Sequence, residues 1–380
     1  MKIVIINSHP SDALGGSEIQ SDIIAGELHK FGHNVVYLAC NGRKRYNTIY
    51  RVKPVKLTGK AIGNATIEEK PDIVYWRNNK HRAFRKAARK FHKNRIPIVF
   101  AVSHVSNTRK WAEFRLEPCR SNLKQLVGSL PKMLKSRWNH GGIKWVSGIV
   151  VNNRDHLGKF NTEPEIYIPN SNTTDKLDFK WEKPYVCWIA NLKPRKRPEL
   201  CVEVAKRLGN KYDVLVVGEI HDHNYSWITN TDNLPENLVY LGPKTILEVN
   251  GIIASSLCLI HTCTPEGFPG NFIQAWLQGK PVVSYEFDPG GLIKSEKLGF
   301  VSGRNLEAFI IDIKKLIENP VLNKETGDRA KSYAFKHFQT ETNVRKLEKF
   351  FFEIIQDKRK FQNKNDPNRD MRAKSLKNDR

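Results

Sequence analysis

A single carboxylate, Glu266, lies on a glycine-rich turn within the stretch TPEGFPGNFIQAWLQGK, residues 264–280. A short apolar run over residues 257–260 precedes this turn and predicts a strand. A helix is expected to begin near Asn271 and to end at Gly279. In open α/β sheets, ligands bind where a strand passes into a helix, and the unpaired N–H groups of a helix start attract anions. The stretch therefore predicts a binding site for an anionic ligand.

Two other turns have features that suit an anion. Residues 191–198 form a basic turn between a predicted strand and a predicted helix. Its cations are Lys193, Arg195, Lys196 and Arg197. Near the N-terminus, Gly15 and Gly16 stand at a helix start, where small residues let backbone amides approach an anion. Together these groups would neutralise a leaving diphosphate. Taken singly, the glycine pair also fits an ordinary turn, and the cations also fit a solvated loop.

The sequence shows no motif for a metal or a redox cofactor. No Asp-x-Asp pair follows a predicted strand, so carboxylates that would hold Mg²⁺ or Mn²⁺ are not indicated. His221 and His223 lie in a polar loop and fit a solvated role better than a metal-binding one. No G-x-G-x-x-G, P-loop or G-x-S-x-G motif is visible. We therefore expect a phosphorylated substrate to be bound without a metal or another cofactor.

The chain has 380 residues, of which 39% are hydrophobic, and this length suits two globular domains. Strands and helices alternate twice, which predicts an α/β fold of two doubly wound, Rossmann-like domains facing across a cleft. The expected domains are residues 1–175 and residues 176–340. A C-terminal helix over residues 341–356 is expected to pack back toward the first domain. The basic tail over residues 357–380 is expected to be disordered.

A formal net charge of +24, from 63 Lys and Arg against 39 acids, favours an anionic partner. In residues 81–95 the apolar residues share one helical face, while cations cover the rest. Residues 107–145 mix further cations with tryptophans. Both segments fit ordinary packing of a basic domain, and both fit a surface that rests on anionic lipid. A nucleic acid partner is the less favoured alternative, because no nucleic-acid-binding motif is visible.

The sequence shows no signal for export or for membrane insertion. The apolar run after Met1 is too short for a signal peptide, and no apolar run approaches the roughly 18 residues of a spanning helix. The six cysteines show no metal-ligand spacing and fit reduced positions in a core. We expect a cytoplasmic protein, peripheral on the inner face of the cell membrane.

Four motifs make the chain similar to glycosyltransferase family 4, the group 1 type of retaining glycosyl transferase with the GT-B fold. PEGFPGN at residues 265–271 resembles its Glu-Gly-Phe-Pro signature, and ANLKPRK at residues 190–196 resembles its Gly-Arg-Leu-x-Pro-x-Lys turn. IPN at residues 168–170 and GGSE at residues 15–18 resemble its Ile-Pro-Asn-Gly junction and its Gly-Gly-x-Glu loop. The likeness covers nearly the whole chain and is weakest over residues 107–145.

The resemblance implies a role for each matching position. The catalytic residues would be Glu266, bonded to hydroxyls of the donor sugar, and His104, in contact with the sugar near its anomeric carbon. Lys196 would hold the diphosphate. The donor-binding residues as a set would be Gly15, Gly16, Lys193, Lys196, Gly267, Phe268, Pro269, Gly270, Asn271 and Gln274. His104 also fits a strand-end histidine that is bonded only to backbone.

Two positions depart from the family pattern. The second Glu of the family's Glu-x7-Glu pair, which accepts from the nucleotide ribose, falls at Gln274, and Asn191 stands where Arg is frequent. Gln keeps an acceptor oxygen but no charge, so its bonds should be weaker. Asn271 and Gln274 are also spaced like a capping box, which is a purely structural reason for both. Neither departure removes Glu266 or Lys196.

The resemblance thus implies a retaining enzyme that moves a sugar from a nucleoside-diphosphate-sugar to a hydroxyl of a glycan or lipid-linked acceptor, in cell-surface polysaccharide biosynthesis. The leaving diphosphate would itself help to take the proton of the attacking hydroxyl. A non-catalytic glycosyltransferase-like scaffold is the alternative, motivated by Gln274 and Asn191. The nucleotide base, the sugar, the acceptor and the linkage cannot be read from the sequence.

Overall fold

The computed structural model describes residues 1–13, 15–43, 45–77, 83–102, 107, 131, 133–134, 137–138, 140–160, 162, 164–230, 232, 234–263 and 267–364. The chain divides into two compact units. The first comprises Met1–Asn152, His156–Ile168 and the chain from Val344 onward, and the second comprises Asn153–Asp155 and Pro169–Asn343. The domain junction expected at residues 175 and 176 lies inside the second unit.

Within the described residues, the first unit is built on seven parallel strands in the order β3-β2-β1-β4-β5-β6-β7. They are β1 (Lys2–Asn7), β2 (Asn34–Cys40), β3 (Arg51–Val55), β4 (Ile73–Trp76), β5 (Ile98–Val102), β6 (Gly148–Val151) and β7 (Glu165–Tyr167). Strands β4, β5 and β6 are fully buried apolar runs, as expected for a parallel sheet covered on both faces. The strand order reverses between β1 and β4, so the loop after β1 begins at a topological switch point.

Helices cover this sheet. They are α1 (Gly16–Lys30), α2 (Gly59–Glu69), α3 (Ala83–Lys93) and, from the end of the chain, α10 (Thr340–Lys364). The apolar face of α10 packs in the same core as β1 and β2, with Leu347 and Phe351 almost fully buried. Its polar side adds a hydrogen bond of 2.6 Å between His33 Nε2 and Glu348 Oε1. The helix continues past residue 356, the end expected from the sequence, to Lys364.

Helices α2 and α3 pack closely because two glycines of α2 face α3. A Cβ atom on Gly59 would lie 2.5 Å from the Cβ of Lys86, and one on Gly63 would lie 2.8 Å from the Cδ of Lys90. The aliphatic stems of these lysines therefore cover α2 while the ammonium groups remain further out. This contact fixes α3 against the sheet and directs its cations away from it.

Within the described residues, the second unit is built on six parallel strands in the order β10-β9-β8-β11-β12-β13. They are β8 (Tyr185–Ile189), β9 (Asp213–Val217), β10 (Leu238–Gly242), β11 (Leu259–His261), β12 (Val282–Ser284) and β13 (Gly299–Val301). The helices of this unit are α4 (Glu199–Leu208), α5 (Ile246–Ser255), α6 (Gly270–Leu277), α7 (Leu292–Ser295), α8 (Leu306–Ile317) and α9 (Pro320–His337). Apolar cores lie on both faces of the sheet.

Two parallel, doubly wound α/β sheets were predicted from the sequence, and the structure has both. The cysteines that the structure describes are all buried, and none of them forms a disulfide. No helix in the described part of the chain is both long enough and apolar enough to cross a membrane.

Candidate active site

The strand order of the second sheet reverses between β8 and β11, which pair directly with each other. Such a switch point is where open α/β sheets bind ligands. At the carboxyl end of β8 the chain enters the basic turn of residues 191–198, and after β11 it continues toward the glycine-rich turn that leads into α6. The two turns of this unit that were predicted to bind an anion therefore follow neighbouring strands.

Thr262 and Asn271 connect these turns by hydrogen bonds. The buried Thr262 hydroxyl accepts from the indole Nε1 of Trp188 at 2.8 Å and donates to the backbone oxygen of Lys196 at 2.5 Å. Asn271 Nδ2 donates to the backbone oxygen of Ile189 at 2.8 Å. The Thr262 bond fixes the basic turn against the end of β11, and the Asn271 bond fixes the end of β8 against α6.

The basic turn itself is compact. Its centre is a 3₁₀ turn over Pro194–Lys196, and Arg197 follows in the left-handed conformation with a φ of 52°. The guanidinium carbon of Arg197 lies 4.7 Å from the ring centre of Tyr285. The three other cations of the turn are half-buried. The turn thus concentrates positive charge at the switch point, where it would attract an anion.

Gly218, at the end of β9, approaches the backbone of the basic turn more closely than any other residue type could. Its φ of 152° is unfavourable for a side chain, and a Cβ atom would lie 1.9 Å from the carbonyl oxygen of Ala190. The backbone N–H of Gly218 donates to the oxygen of Gly242 at 3.1 Å. This glycine therefore allows the loop after β9 to support the entrance of the basic turn.

Two buried asparagines hold the glycine-rich turn by its carbonyl groups. Asn153 Nδ2 donates to the oxygen of Gly267, and Asn170 Nδ2 donates to the oxygen of Phe268, each at 3.2 Å. The Phe268 ring is buried, with its centre 5.6 Å from that of Phe338. Ring and carbonyl are both occupied, whereas the backbone N–H of Phe268 donates to no group in the described part of the chain and so remains for a ligand.

Helix α6 begins at Gly270, with Pro269 as the N-cap residue, and within the described residues no side chain caps the helix start. The capping box predicted for Asn271 and Gln274 is therefore wrong. Asn271 lies one position inside the helix, and its amide is engaged with Ile189 instead of the helix N-terminus. A helix start without a side-chain cap keeps its first N–H groups for water or for a ligand.

Gln274 is buried, with 9% of its surface exposed, and it belongs to a polar network inside the unit. Its Nε2 donates to Asn250 Oδ1 at 2.9 Å. Asn250 is fully buried, and its Nδ2 donates to the backbone oxygens of Thr173 at 3.1 Å and Asp175 at 2.7 Å. Among the described residues, Gln274 Oε1 accepts no hydrogen bond, so an acceptor oxygen is left for the predicted ribose contact.

In the first unit, Gly15 is the N-cap residue of α1 and Gly16 is its first residue. Asn7, at the end of β1, donates to the backbone oxygen of Ser17 at 3.2 Å and to Ser21 Oγ at 3.0 Å, and so ties the helix start to the strand. A Cβ atom on Gly16 would meet no other heavy atom within 4 Å. The surface above Gly16 is therefore open, and its approach to a diphosphate stays a prediction.

His104 and Glu266, the two catalytic residues implied by the resemblance, lie outside the described residues. Their roles stay predictions. Most of the basic segment over residues 107–145 also lies outside them. In the part of the chain that is described, no group of three or more His, Cys, Asp and Glu side chains is arranged to hold a metal ion.

Residues 170–336 match the family model of the group 1 glycosyl transferases. The chain carries a group 1 glycosyltransferase domain. The match confirms the family resemblance predicted from the motifs, and it contains both the basic turn and the glycine-rich turn. The group 1 domain includes all six strands of the second unit.

One curated relative is the poly(ribitol-phosphate) alpha-N-acetylglucosaminyltransferase of Staphylococcus aureus (strain COL), which is 25% identical over 58% of this chain and 52% of the relative. The chain spans about half the length of that relative. Sucrose-phosphate synthase from Thermosynechococcus elongatus superposes with a TM-score of 0.74 at 12% identity, covering 94% of this chain and all of that one. HepE of Anabaena, in complex with UDP and glucose, has a TM-score of 0.68 at 16% identity, covering 93% of this chain and all of that one. These structural matches show the α/β GT-B fold, as predicted.

Three asparagines of the second unit were not among the predicted site residues. They are Asn153, Asn170 and Asn250. Asn170 belongs to the Ile-Pro-Asn motif, so the sequence contained a signal for it. Asn153 and Asn250 belong to none of the motifs, and their importance rests on hydrogen bonds to residues that are distant in the sequence.

Proposed function

We propose that this protein is a retaining glycosyltransferase that moves a sugar from a nucleoside-diphosphate-sugar to a hydroxyl of a glycan or lipid-linked acceptor. The group 1 domain supports a sugar transfer, and the UDP bound in HepE makes UDP-sugars the first donors to test. The poly(ribitol-phosphate) named for the staphylococcal relative supports a cell-surface polymer as acceptor.

The observation that carries this proposal is the pairing of two turns at one switch point. Half-buried cations lie on the turn after β8, and the N-terminus of α6, which no described side chain caps, follows the adjacent strand. Thr262 bonds to the basic turn, and Asn271 bonds to the end of β8 just before it. Positive charge and free N–H groups in fixed positions stabilise negative charge that develops in a transition state. A leaving diphosphate develops such charge.

In the proposed reaction, the bond from the anomeric carbon to the diphosphate oxygen breaks, and its electron pair stays with the diphosphate. The acceptor oxygen forms a bond to the same face of that carbon, and its proton passes to a diphosphate oxygen. Lys196 and the helix start would hold the diphosphate, and Glu266 would hold the sugar. We propose that these groups suffice without a metal, so that transfer should continue in excess EDTA.

Nucleotide binding is the first test. We expect one of UDP, GDP, ADP and TDP to raise the melting temperature by several degrees, because a ligand at 100 times its Kd adds about 2.7 kcal/mol to the stability of the folded state. The matching nucleoside, which lacks the phosphates, is the control and should give little shift. The proposal would be refuted if none of the four nucleotides raised the melting temperature and if the Glu266→Ala variant still formed product.

We also propose that the first unit rests on anionic membrane lipid through the outer face of α3. Lys86, Arg89 and Lys93 are exposed there, and α3 contains no acidic residue. Within the described residues these three cations form no ion pair. Lys and Arg near an anionic surface contribute about 1 kcal/mol each at moderate ionic strength.

Exposed apolar groups of the first unit make lipid a better partner than a purely ionic surface. The Trp138 side chain is 55% exposed, and so is that of Leu134. The Arg85 guanidinium carbon lies 3.7 Å from the ring centre of Trp138, and its Nη1 donates to the Trp138 backbone oxygen at 3.3 Å. Tryptophan and basic residues together are typical of the boundary between lipid headgroups and hydrocarbon.

Vesicle flotation measures this contact. Reversing Lys86, Arg89 and Lys93 to Glu should reduce binding to vesicles with anionic lipid at least about tenfold, while binding to neutral vesicles stays weak for both proteins. The control variant reverses Lys324, Lys331 and Lys336 on α9, which changes the net charge equally. Equal losses in the two variants would mean that the overall charge, rather than the face of α3, governs binding.

A further inference from the structure

Two side chains that take no part in the proposed chemistry hold the backbone of the glycine-rich turn in a fixed orientation. Asn153 and Asn170 are 3% and 7% exposed, and they donate to the consecutive carbonyl oxygens of Gly267 and Phe268. They lie 114 and 98 residues before their partners in the sequence. The turn is therefore held from outside its own segment.

These bonds determine which way the amides of the turn point. The carbonyl of Gly267 shares a planar trans peptide with the N–H of Phe268, so the two groups point in opposite directions. A donor fixed on the carbonyl side directs that N–H to the other side. The carbonyl of Phe268 shares its peptide with Pro269, the N-cap residue of α6, so Asn170 also fixes the direction in which the helix starts.

Asn153 belongs to a short segment that holds a second loop as well. Its Oδ1 accepts from the backbone N–H of Asp155 at 3.0 Å, and Asp155 Oδ2 accepts from the N–H of Gly290 at 3.1 Å. Gly290 has a φ of 63° and follows β12, the neighbour of β11. Residues 153–155 thus fasten the loops after two adjacent strands of the group 1 domain.

We propose that Asn153 and Asn170 are positioning residues, which orient the Phe268 N–H and the start of α6 toward the donor diphosphate. The inference rests on the proposed function, since it needs a diphosphate at this turn. Without Asn153 the carbonyl of Gly267 is free to rotate, and the Phe268 N–H of the same peptide then changes direction. Without Asn170 the carbonyl of Phe268 is free to rotate, and the Pro269 peptide at the start of α6 then changes direction.

Nucleotide affinity tests this role, with UDP, GDP, ADP and TDP as probes in calorimetric titrations. Asn153→Ala and Asn170→Ala should each raise the Kd of the nucleotide that binds by about tenfold, the scale of one lost hydrogen bond to a charged group. In the transfer assay they should raise the donor KM and leave the acceptor KM unchanged. Asn153→Asp keeps an acceptor for the Asp155 N–H and puts a charged oxygen in place of the amide donor, and it serves if the alanine variant does not fold.

Asn237→Ala is the matched control. Asn237 is equally buried in the same unit and donates to the backbone oxygens of Ala205, Gly209 and Tyr212, which lie in neither turn. It should lower the melting temperature without changing nucleotide affinity. Wild-type affinity in Asn153→Asp and Asn170→Ala, or an equal loss in Asn237→Ala, overturns the positioning role. If the wild-type protein itself binds none of the four nucleotides, it is the proposed function that fails.

Discussion

Glu266→Ala is expected to lower the rate of sugar transfer at least about 100-fold while nucleoside diphosphate binding changes less than about threefold. A carboxylate that accepts from sugar hydroxyls makes hydrogen bonds worth about 1.5–3 kcal/mol each. Losing two of them removes at least about 3 kcal/mol of transition-state stabilisation, which corresponds to a rate loss of at least about 100-fold. The diphosphate is assigned to other groups, namely the basic turn and the start of α6. Glu266→Ala should therefore lower the rate of transfer and leave the affinity for the nucleotide almost unchanged.

The measurement is initial-rate kinetics with the donor chosen by the thermal-shift screen, beside calorimetric titration of the free nucleotide. Glu203→Ala is the matched control, because Glu203 is a carboxylate of the same group 1 domain that pairs at 3.2 Å with Lys206 on the outside of α4. It should leave both quantities unchanged. Full activity of Glu266→Ala would refute the assignment of this carboxylate to the donor sugar.

Gln274→Glu should destabilise the protein by about 2–3 kcal/mol, although it restores the residue that the family pattern has at this position. The new carboxylate has no N–H for Asn250 Oδ1 and would place one acceptor against another. Asn250 cannot compensate by turning its amide over, because its Nδ2 already holds the carbonyls of Thr173 and Asp175. A buried carboxylate without a donor is costly.

Denaturant unfolding of the second unit would measure this loss, with Gln278→Glu as the control. Gln278 is the C-cap residue of the same helix, one turn after Gln274, and its Nε2 donates to the oxygen of Thr174 at 3.0 Å, but this bond is exposed. The same chemical change should there cost less than about 1 kcal/mol, because water can replace the lost donor. Equal stability of the two variants, or a more stable Gln274→Glu protein, would contradict the role of Asn250.

The alternation of strands and helices could be read from the sequence because buried parallel strands are short apolar runs and the helices between them are amphipathic. Elements without these signals were not indicated. The strand β3 contains Pro54, which an edge strand tolerates, and only Val55 of its five residues is fully buried. Helix α2 contains Gly59 and Gly63, which weaken a helical pattern locally but allow the close contact with α3.

In the candidate site too, some features could be predicted from the sequence and others could not. The turns with Lys196 and with Gly267 were predictable because their residue types and their places between a strand and a helix are local properties. The partner of Gln274 was not, because Asn250 lies on another helix and the spacing of Asn271 and Gln274 suggested a cap instead. Hydrogen bonds between distant segments leave no periodic pattern in a sequence, so the contacts of Asn153 and Asn250 become visible only in the folded chain.

The three residues 153–155 have a consequence for exchanging parts between related proteins. They are flanked on both sides by segments of the first unit, yet they bind loops of the second. A chimeric protein that took only residues 169–343 from this chain would inherit the basic turn and the glycine-rich turn without the amide that holds Gly267. The glycine-rich turn is therefore not held by residues 169–343 alone. A chimera that is to keep these contacts must also take Asn153 and Asp155 from this chain. In the sequence, these residues lie among segments of the first unit.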